Sequence, residues 1–232
     1  MREIIPDVYT FSGLLMGRVY CIRDRDGLTL IDCGLELAAA RILAQLHAAG
    51  AAPGRVKRIL ITHGHPDHVG GLPAVAAATG APVWASALDR PQIEGRAPIP
   101  VPSAADLSPL MQRISRPNTV LPGTPVDREL ADGDWLPEVL GGLRVIATPG
   151  HTLGHLAFWQ PDRRIVFAGD IAMHLPMGLG RPFPAFTVDM AEDLRSAGKV
   201  AALEPTVLCL GHGTPVLTNA AEQLRAFAAQ TA

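Results

Sequence analysis

The run Thr62-His63-Gly64-His65-Pro66-Asp67-His68 follows directly on the mostly apolar segment Val56 to Ile61. Three imidazoles and one carboxylate thus fall within six residues, at a point where an apolar strand must end. Imidazole and carboxylate are the ligands of borderline and hard divalent metals. One ion cannot take all four without straining so short a loop, whereas two ions can. The His-x-His pair projects two imidazoles to one side, and the Asp-His pair projects a carboxylate and an imidazole to the other. A plain polar turn is the weaker reading, because imidazoles at this density have no structural use and repel one another when protonated.

More ligand types recur downstream, each beyond a strand-like run and beside a glycine or close to one. His151 follows Leu143 to Ala147, Asp170 follows Ile165 to Ala168, and His212 follows Val207 to Leu210. Strand ends feeding loops are where rigid scaffolds present reactive groups. Each residue is a weak signal by itself, and the ordered set is a strong one.

The remaining pattern alternates strands with helices. Asp7–Phe11, Arg18–Arg23 and Leu28–Ile31 read as strands, the last two joined by a hairpin turn at Asp26-Gly27. Glu36 to Ala49 has helical period, with Gly50 as its C-cap. Ile59–Ile61 is a buried strand, Gly71 to Thr79 a short helix and Pro82–Ala85 a strand. The second half repeats this logic. Val126–Leu130, Leu143–Ala147, His155–Gln160, Ile165–Ala168 and Val207–Leu210 are strands, while Met190 to Ala202 and Ala220 to Ala229 are helices. The order predicts an α/β fold of two halves packed sheet to sheet, with helices outside.

The constellation His63-x-His65-x-Asp67-His68, then His151, Asp170 and His212, resembles the metallo-β-lactamase-fold hydrolase superfamily. So does Asp32 in Leu30-Ile31-Asp32-Cys33-Gly34. The match runs from about Gly17 to His212 and fills all seven ligand positions of the dinuclear, lactonase- and glyoxalase II-like subgroup. The resemblance implies a four-layer αββα sandwich and a single domain over residues 1–232. It does not fix the substrate. On this basis His63, His65 and His151 are expected to hold one divalent ion, and Asp67, His68 and His212 a second, with Asp170 bridging. A water held between the ions would lose a proton near neutral pH and become the nucleophile. Asp67 is expected to orient or deprotonate that water, and Asp32 to fix a ligand imidazole's tautomer. Zinc is the default metal, with iron, manganese or cobalt as alternatives.

Two stretches stand outside the alternation. Residues 86–125 carry eight prolines, a density that forbids a long regular element. They read as an insertion, with room for one helix from about Ser103 to Ile114. Residues 174–187 follow the Asp170 loop. With Met173, His174, Phe183 and Phe186 they are expected to line an apolar substrate pocket, since long irregular loops in compact domains are usually functional. His155 reads as structural.

Composition bounds the partners. A net charge of −2 offers no concentrated basic surface for nucleic acid. No stretch approaches eighteen apolar residues, so no membrane span is expected, and Met1 to Pro6 lacks a secretory signal. Cys21, Cys33 and Cys209 are odd in number and widely spaced, which points to a reducing cytoplasm. The expected partner is a small-molecule substrate, and a homodimer stays open.

Among ester-like bonds, a lactone or carboxylic ester fits best. The Asp at position 170 argues against a true β-lactamase, which usually carries Cys or Ser there. Glyoxalase II-like thioester hydrolases share the ligands but add a C-terminal helical domain, and this chain ends about twenty residues after His212. Quorum-quenching lactonases often carry a Tyr where this chain has Ile171-Ala172-Met173-His174, whereas Met173 to Pro176 resembles lactonases related to organophosphate hydrolases. The alternatives are a mononuclear iron sulfur dioxygenase, which Gly178 to Arg181 resembles slightly, and promiscuous β-lactamase or phosphotriesterase activity. A non-catalytic metal-binding protein is a third class, disfavoured by the complete ligand set.

Overall fold

The computed structural model describes residues 1–116 and 118–229. Pro117, one of the prolines of the 86–125 stretch, lies outside the described residues.

One sheet has seven strands in chain order: β1 (Arg2–Ile5), β2 (Val8–Thr10), β3 (Tyr20–Arg23), β4 (Leu28–Ile31), β5 (Val56–Leu60), β6 (Val83–Ser86) and β7 (Arg128–Leu130). Pairing is antiparallel from β1 to β4 and parallel from β4 to β7. The other sheet contains β8 (Trp135–Leu136), β9 (Leu143–Ala147), β10 (Leu156–Gln160) and β11 (Ile165–Gly169), paired antiparallel in that order. A hairpin of β12 (Met173–Leu175) and β13 (Gly178–Gly180) comes next. After it β14 (Val207–Leu210) pairs parallel with β11.

Alternation along the strands sorts the apolar side chains into three cores, which is what four layers require. From β3, β4 and β5, the residues Cys21, Leu30 and Ile59 pack outward with Ile42, Leu46, Leu72 and Val75 of helices α1 (Ala38–Ala48) and α3 (Leu72–Thr79). Their neighbours Ile22, Ile31 and Leu60 face the other way and meet Val145, Phe158, Phe167 and Cys209 between the sheets. Ala157, Val166 and Leu208 then pack against Leu194, Val200, Leu224 and Phe227 of α6 (Met190–Ala201) and α7 (Ala220–Ala228). This is the αββα sandwich that the sequence predicts.

Three elements differ from expectation. The strand expected from Arg18 begins only at Tyr20, because the Arg18 backbone N–H leaves the sheet and donates to Gly211 O, 2.7 Å away, at the end of β14. The helix expected over 103–114 splits at Pro109. A 3-10 turn at Ala104–Asp106 precedes α5 (Pro109–Ile114), where Pro109 starts a new helix behind the Ser108 cap. The β12–β13 hairpin regularises part of the stretch expected to be irregular, with Gly178 at φ +115° after the Pro176-Met177 turn.

Parallel pairing positions the site. β4 and β5 run together, as do β11 and β14, and β9 runs in the same sense as β11 across the antiparallel β10. The loops that leave these strands carry Asp32, the 63–68 run, Asp170, His212 and His151. They meet at one edge of the sandwich, where Leu156 N donates to Thr62 O at 2.8 Å and Tyr20 Oη donates to Leu210 O at 2.6 Å across the sheets.

Candidate metal centre

β5 ends at Leu60, and the chain turns through Thr62 to His65 before a single-turn helix, α2 (Pro66–Val69), begins. His65 is extended (ψ 154°) and Pro66 takes the first helical position, where its missing N–H is harmless. The change from extended to helical backbone separates the two ligand pairs. His63 and His65 precede it, while Asp67 and His68 follow on the helical turn.

Asp32 organises this loop from below. It is buried at φ +62°, a left-handed conformation that Asp tolerates better than most residues. Its carboxylate accepts from Thr62 N, Thr62 Oγ1 and His68 Nδ1, each at 2.8 Å. The bond to His68 Nδ1 keeps the proton on that nitrogen and leaves Nε2 with its lone pair. Thr62 Oγ1 also lies 3.1 Å from His63 Nδ1 and orients that ring in the same way.

The ligand types predicted from sequence converge. His63, His65 and His151 form one group, and Asp67, His68 and His212 another; His63, His68 and Asp170 form a third that joins them. Within each group the candidate ligand atoms lie within 4.8 Å of one another. His65 Nδ1 and His151 Nε2 are 2.9 Å apart. Asp170 reaches both sides, with oxygens 3.1 Å from His212 Nε2, 3.4 Å from His68 Nε2 and 3.5 Å from His151 Nε2. His63 Nε2, His65 Nε2, His68 Nε2 and Asp170 Oδ1 are buried without a hydrogen-bond partner. Each such orphan costs about 1–3 kcal/mol, and four in one cluster fit atoms whose partner is a cation. Gly211 leaves room for them, since a Cβ there would stand 2.0 Å from Asp170 Oδ1.

The two sides differ in charge. Burial, with neighbouring imidazoles, holds His63 well below the ordinary histidine range, and burial lowers His65 to about 4. His151 is likewise low, by burial and then by His65. These rings are neutral bases near neutral pH, the form that binds metal. On the other side burial also disfavours charge, but carboxylates outweigh it. Asp170, Asp32 and Asp67 raise His68 well above its usual range, and hydrogen bonds to Asp170 and Asp67 raise His212 to about 9. Burial opposes ionisation of Asp67, yet His68 and His212 hold it at about 2.

Further supports carry no local mark in the sequence. Asp89 is buried, and its carboxylate accepts from Gly64 N (3.0 Å), Thr152 Oγ1 (2.7 Å) and Gly154 N (2.8 Å). It ties the loop of His63 and His65 to the loop of His151. Nothing about Leu88-Asp89-Arg90 marks this, because the partners are 25 to 65 residues away. His151 Nδ1 is held by Thr187 Oγ1 at 3.1 Å. Asp193 is buried behind Gly150, and burial, then Asp170, pushes its carboxyl up to about 8. His155, read as structural, accepts from Asp170 N at 3.0 Å and contacts Thr148 Oγ1 at 2.7 Å, which fixes the backbone of the central carboxylate.

The four residues expected to line a pocket stand in two places, Met173 and His174 in β12 and Phe183 and Phe186 around the 3-10 turn before Thr187. His174 Nδ1 donates to Thr214 O at 2.7 Å, and its backbone N–H donates to His212 O at 3.1 Å, so it buttresses the His212 turn. Met173 is half-buried at the start of the same strand, β12. Phe183 and Phe186 pair with each other, their ring centroids 5.8 Å apart. The 3-10 turn that carries Phe186 meets α5 of the proline-rich stretch. A cleft of about 350 Å³ opens beside His212, lined by the loop between β2 and β3.

The sequence model described as the metallo-beta-lactamase superfamily matches residues 12–212. The "Probable metallo-hydrolase YybB" of Bacillus subtilis is 31% identical over 198 residues, which cover 85% of this chain and 81% of that protein. A hydroxyacylglutathione hydrolase of Cereibacter sphaeroides is 36% identical over 158 residues, 68% of this chain. This chain spans about half the length of that relative (48%). Among solved structures, TTHA1623 in a di-iron-bound form superposes with a TM-score of 0.64 at 30% identity, covering 88% of this chain and 91% of that one.

Proposed function

Because the chain belongs to the metallo-beta-lactamase superfamily, with metallo-hydrolases among its relatives, we propose that it is a dinuclear metal-dependent hydrolase of a lactone or carboxylic ester. The observation that carries this reading is the joined pair of ligand groups, with Asp170 between them and buried, unpartnered ligand atoms facing inward. His63, His65 and His151 would hold one ion, and Asp67, His68 and His212 the other, with Asp170 shared. When bound, such an ion pair supplies Lewis acidity toward a carbonyl oxygen and acidifies a water near neutral pH.

The chain's own residues do the rest. Asp32 and Thr62 hold His68 and His63 in the tautomer whose Nε2 is free. Asp67 is ionised and half-buried, so it can accept a hydrogen bond from an attacking water and orient it. Buried aliphatic and aromatic side chains below the site exclude bulk water from one side, which strengthens each charge interaction. Zinc is the metal we favour for a site of nitrogen and oxygen ligands, and the di-iron form of a similar structure supports iron as the alternative.

A second reading, thioester hydrolysis, is favoured by the identity to the hydroxyacylglutathione hydrolase. One panel separates the two. The zinc-loaded protein is given lactones, carboxylic esters and acyl-thiol esters of matched acyl groups, with Asp170→Asn alongside. The proposal expects oxygen esters or lactones to have the highest kcat/KM and Asp170→Asn to lose turnover and metal together. Faster thioester turnover would transfer the assignment to the second reading. Full activity of Asp170→Asn with both ions retained would defeat the shared-carboxylate assignment.

A further inference from the structure

The cleft beside His212 has an unusual lining. It lies between the turn Gly211 to Gly213 and the loop from Thr10 to Arg18, with Arg2 at its rim. Two cationic side chains therefore border it. Arg18 is half-buried; its Nε donates to Gly213 O at 2.5 Å and its Nη1 lies 3.3 Å from Thr10 Oγ1. Both acceptors are neutral, and a neutral donor would serve them as well. No carboxylate pairs with Arg18 or Arg2 among the described residues. A guanidinium has five N–H donors in a planar fork suited to oxyanions, so Arg18 keeps donors for a ligand.

The opposite flank of the same loop is mostly apolar. Leu14, Leu15 and Met16 line a second hollow of about 230 Å³ together with Leu35, Leu37 and Arg41, whose Nη1 donates to Gly13 O, and Leu15 and Leu37 are 88% and 82% exposed. A cationic cleft and an apolar hollow thus share one loop, and the cleft includes a ligand residue of the metal centre.

We infer that this cleft binds an oxyanion, carboxylate or phosphate, at the end of the substrate remote from the cleaved bond, with Arg18 and Arg2 as its partners. The inference rests on the hydrolytic reading above and narrows its substrate class to acidic esters or lactones whose hydrocarbon part can lie along Leu14 to Met16. Arg18 also brackets His212, through its backbone N–H on Gly211 O and its Nε on Gly213 O. An anion seated there lies against the turn that carries a metal ligand.

The test uses two series of esters of equal length with the zinc-loaded protein. One series places a methyl, carboxylate or phosphonate end on the acyl side, and the other places it on the alcohol side. Metal content is measured for every variant. In at least one series an anionic end should lower KM about tenfold relative to methyl, the scale of one charge-assisted hydrogen bond. Arg2→Glu and Arg18→Ala should remove that preference, and Arg18→Lys should restore part of it. Whether carboxylate or phosphonate gives the larger effect identifies the anion. Equal KM values in both series, or a preference that survives Arg2→Glu and Arg18→Ala, would overturn the assignment. If no ester is turned over, the hydrolytic reading fails separately and calorimetric titration with glutarate and with inorganic phosphate decides the cleft. Weaker binding of either by about tenfold in Arg2→Glu supports the site, and unchanged binding of both overturns it.

Discussion

Asp32 shows how one carboxylate can govern a centre that it does not enter. It holds Thr62 twice and the Nδ1 face of His68, so its loss frees the imidazole to take the wrong tautomer. Asp32→Asn should weaken metal binding by about 10–100-fold, read as the zinc dissociation constant in competition with a chelating dye; unchanged affinity would remove Asp32 from this role. Protonation gives a second expectation. Without metal, hydrogen bonds to Asp170 and Asp67 raise His212 to about 9. A raised histidine stabilises the fold fully below its unfolded pKa, near 6.5, and loses that contribution as pH rises through the folded value. Asp193, pushed to about 8 by burial and by Asp170, acts in the same sense, but its loss runs from about pH 4, its unfolded value, up to about 8. The chelated protein should therefore lose thermal stability from about pH 6.5 to 9. The zinc-loaded protein should lose less over this range, because His212 binds metal in its deprotonated form while Asp193 is no ligand and keeps its own share. Thermal melts with chelator and with zinc across that range check this, and a chelated protein whose Tm rises with pH would contradict it.

At the scale of elements, the metal centre depends on loops from both sheets staying in register. Asp89 is the clamp, since it collects donors from the His63–His65 loop and the His151 loop. Asp89→Ala would strand two buried backbone N–H groups and a hydroxyl, at about 1–3 kcal/mol each. The expected result is a lower Tm together with reduced occupancy at the His63, His65 and His151 group. Retained zinc in a merely less stable protein would make Asp89 a stability residue alone. Asp89 also shows why some of the site was not legible in the sequence. The ligands stood out because their types cluster and recur after strands. Asp89, Thr187 and Asp193 are single residues whose partners come from distant segments, and no local pattern marks them. Strand alternation likewise revealed β3 to β5 and β9 to β11, because each has apolar residues on two buried faces. It gave no warning that Arg18 would leave its strand for the Gly211 carbonyl, a contact made only when the sheets stack. The four expected pocket residues stand close in sequence to Asp170. The fold sends that chain into a hairpin, which sets His174 against the His212 turn.

The whole molecule is a sandwich whose three cores lie on either side of and between two sheets, with the ligand loops gathered at one edge. Among the described residues no helix is long and apolar enough to cross a membrane, and Cys21, Cys33 and Cys209 are buried and free of disulfides. Loops from both sheets would be joined through the bound ions, so metal should act as a brace between the halves. At a free zinc concentration of about 1,000 times Kd, the gain is about 4 kcal/mol. In a chain of this size that raises Tm by about 8–16 °C over the chelated form, as differential scanning calorimetry would show; coincident melts would mean that the centre does not couple the halves. In the proposed assignment this edge holds two ions. The most direct measurement is metal identity and stoichiometry by plasma mass spectrometry on protein purified without added metal or chelator. Two ions per chain, zinc or a zinc pair with partial iron or manganese, is the result expected. One tightly held iron with the Asp67, His68 and His212 group unfilled would contradict it.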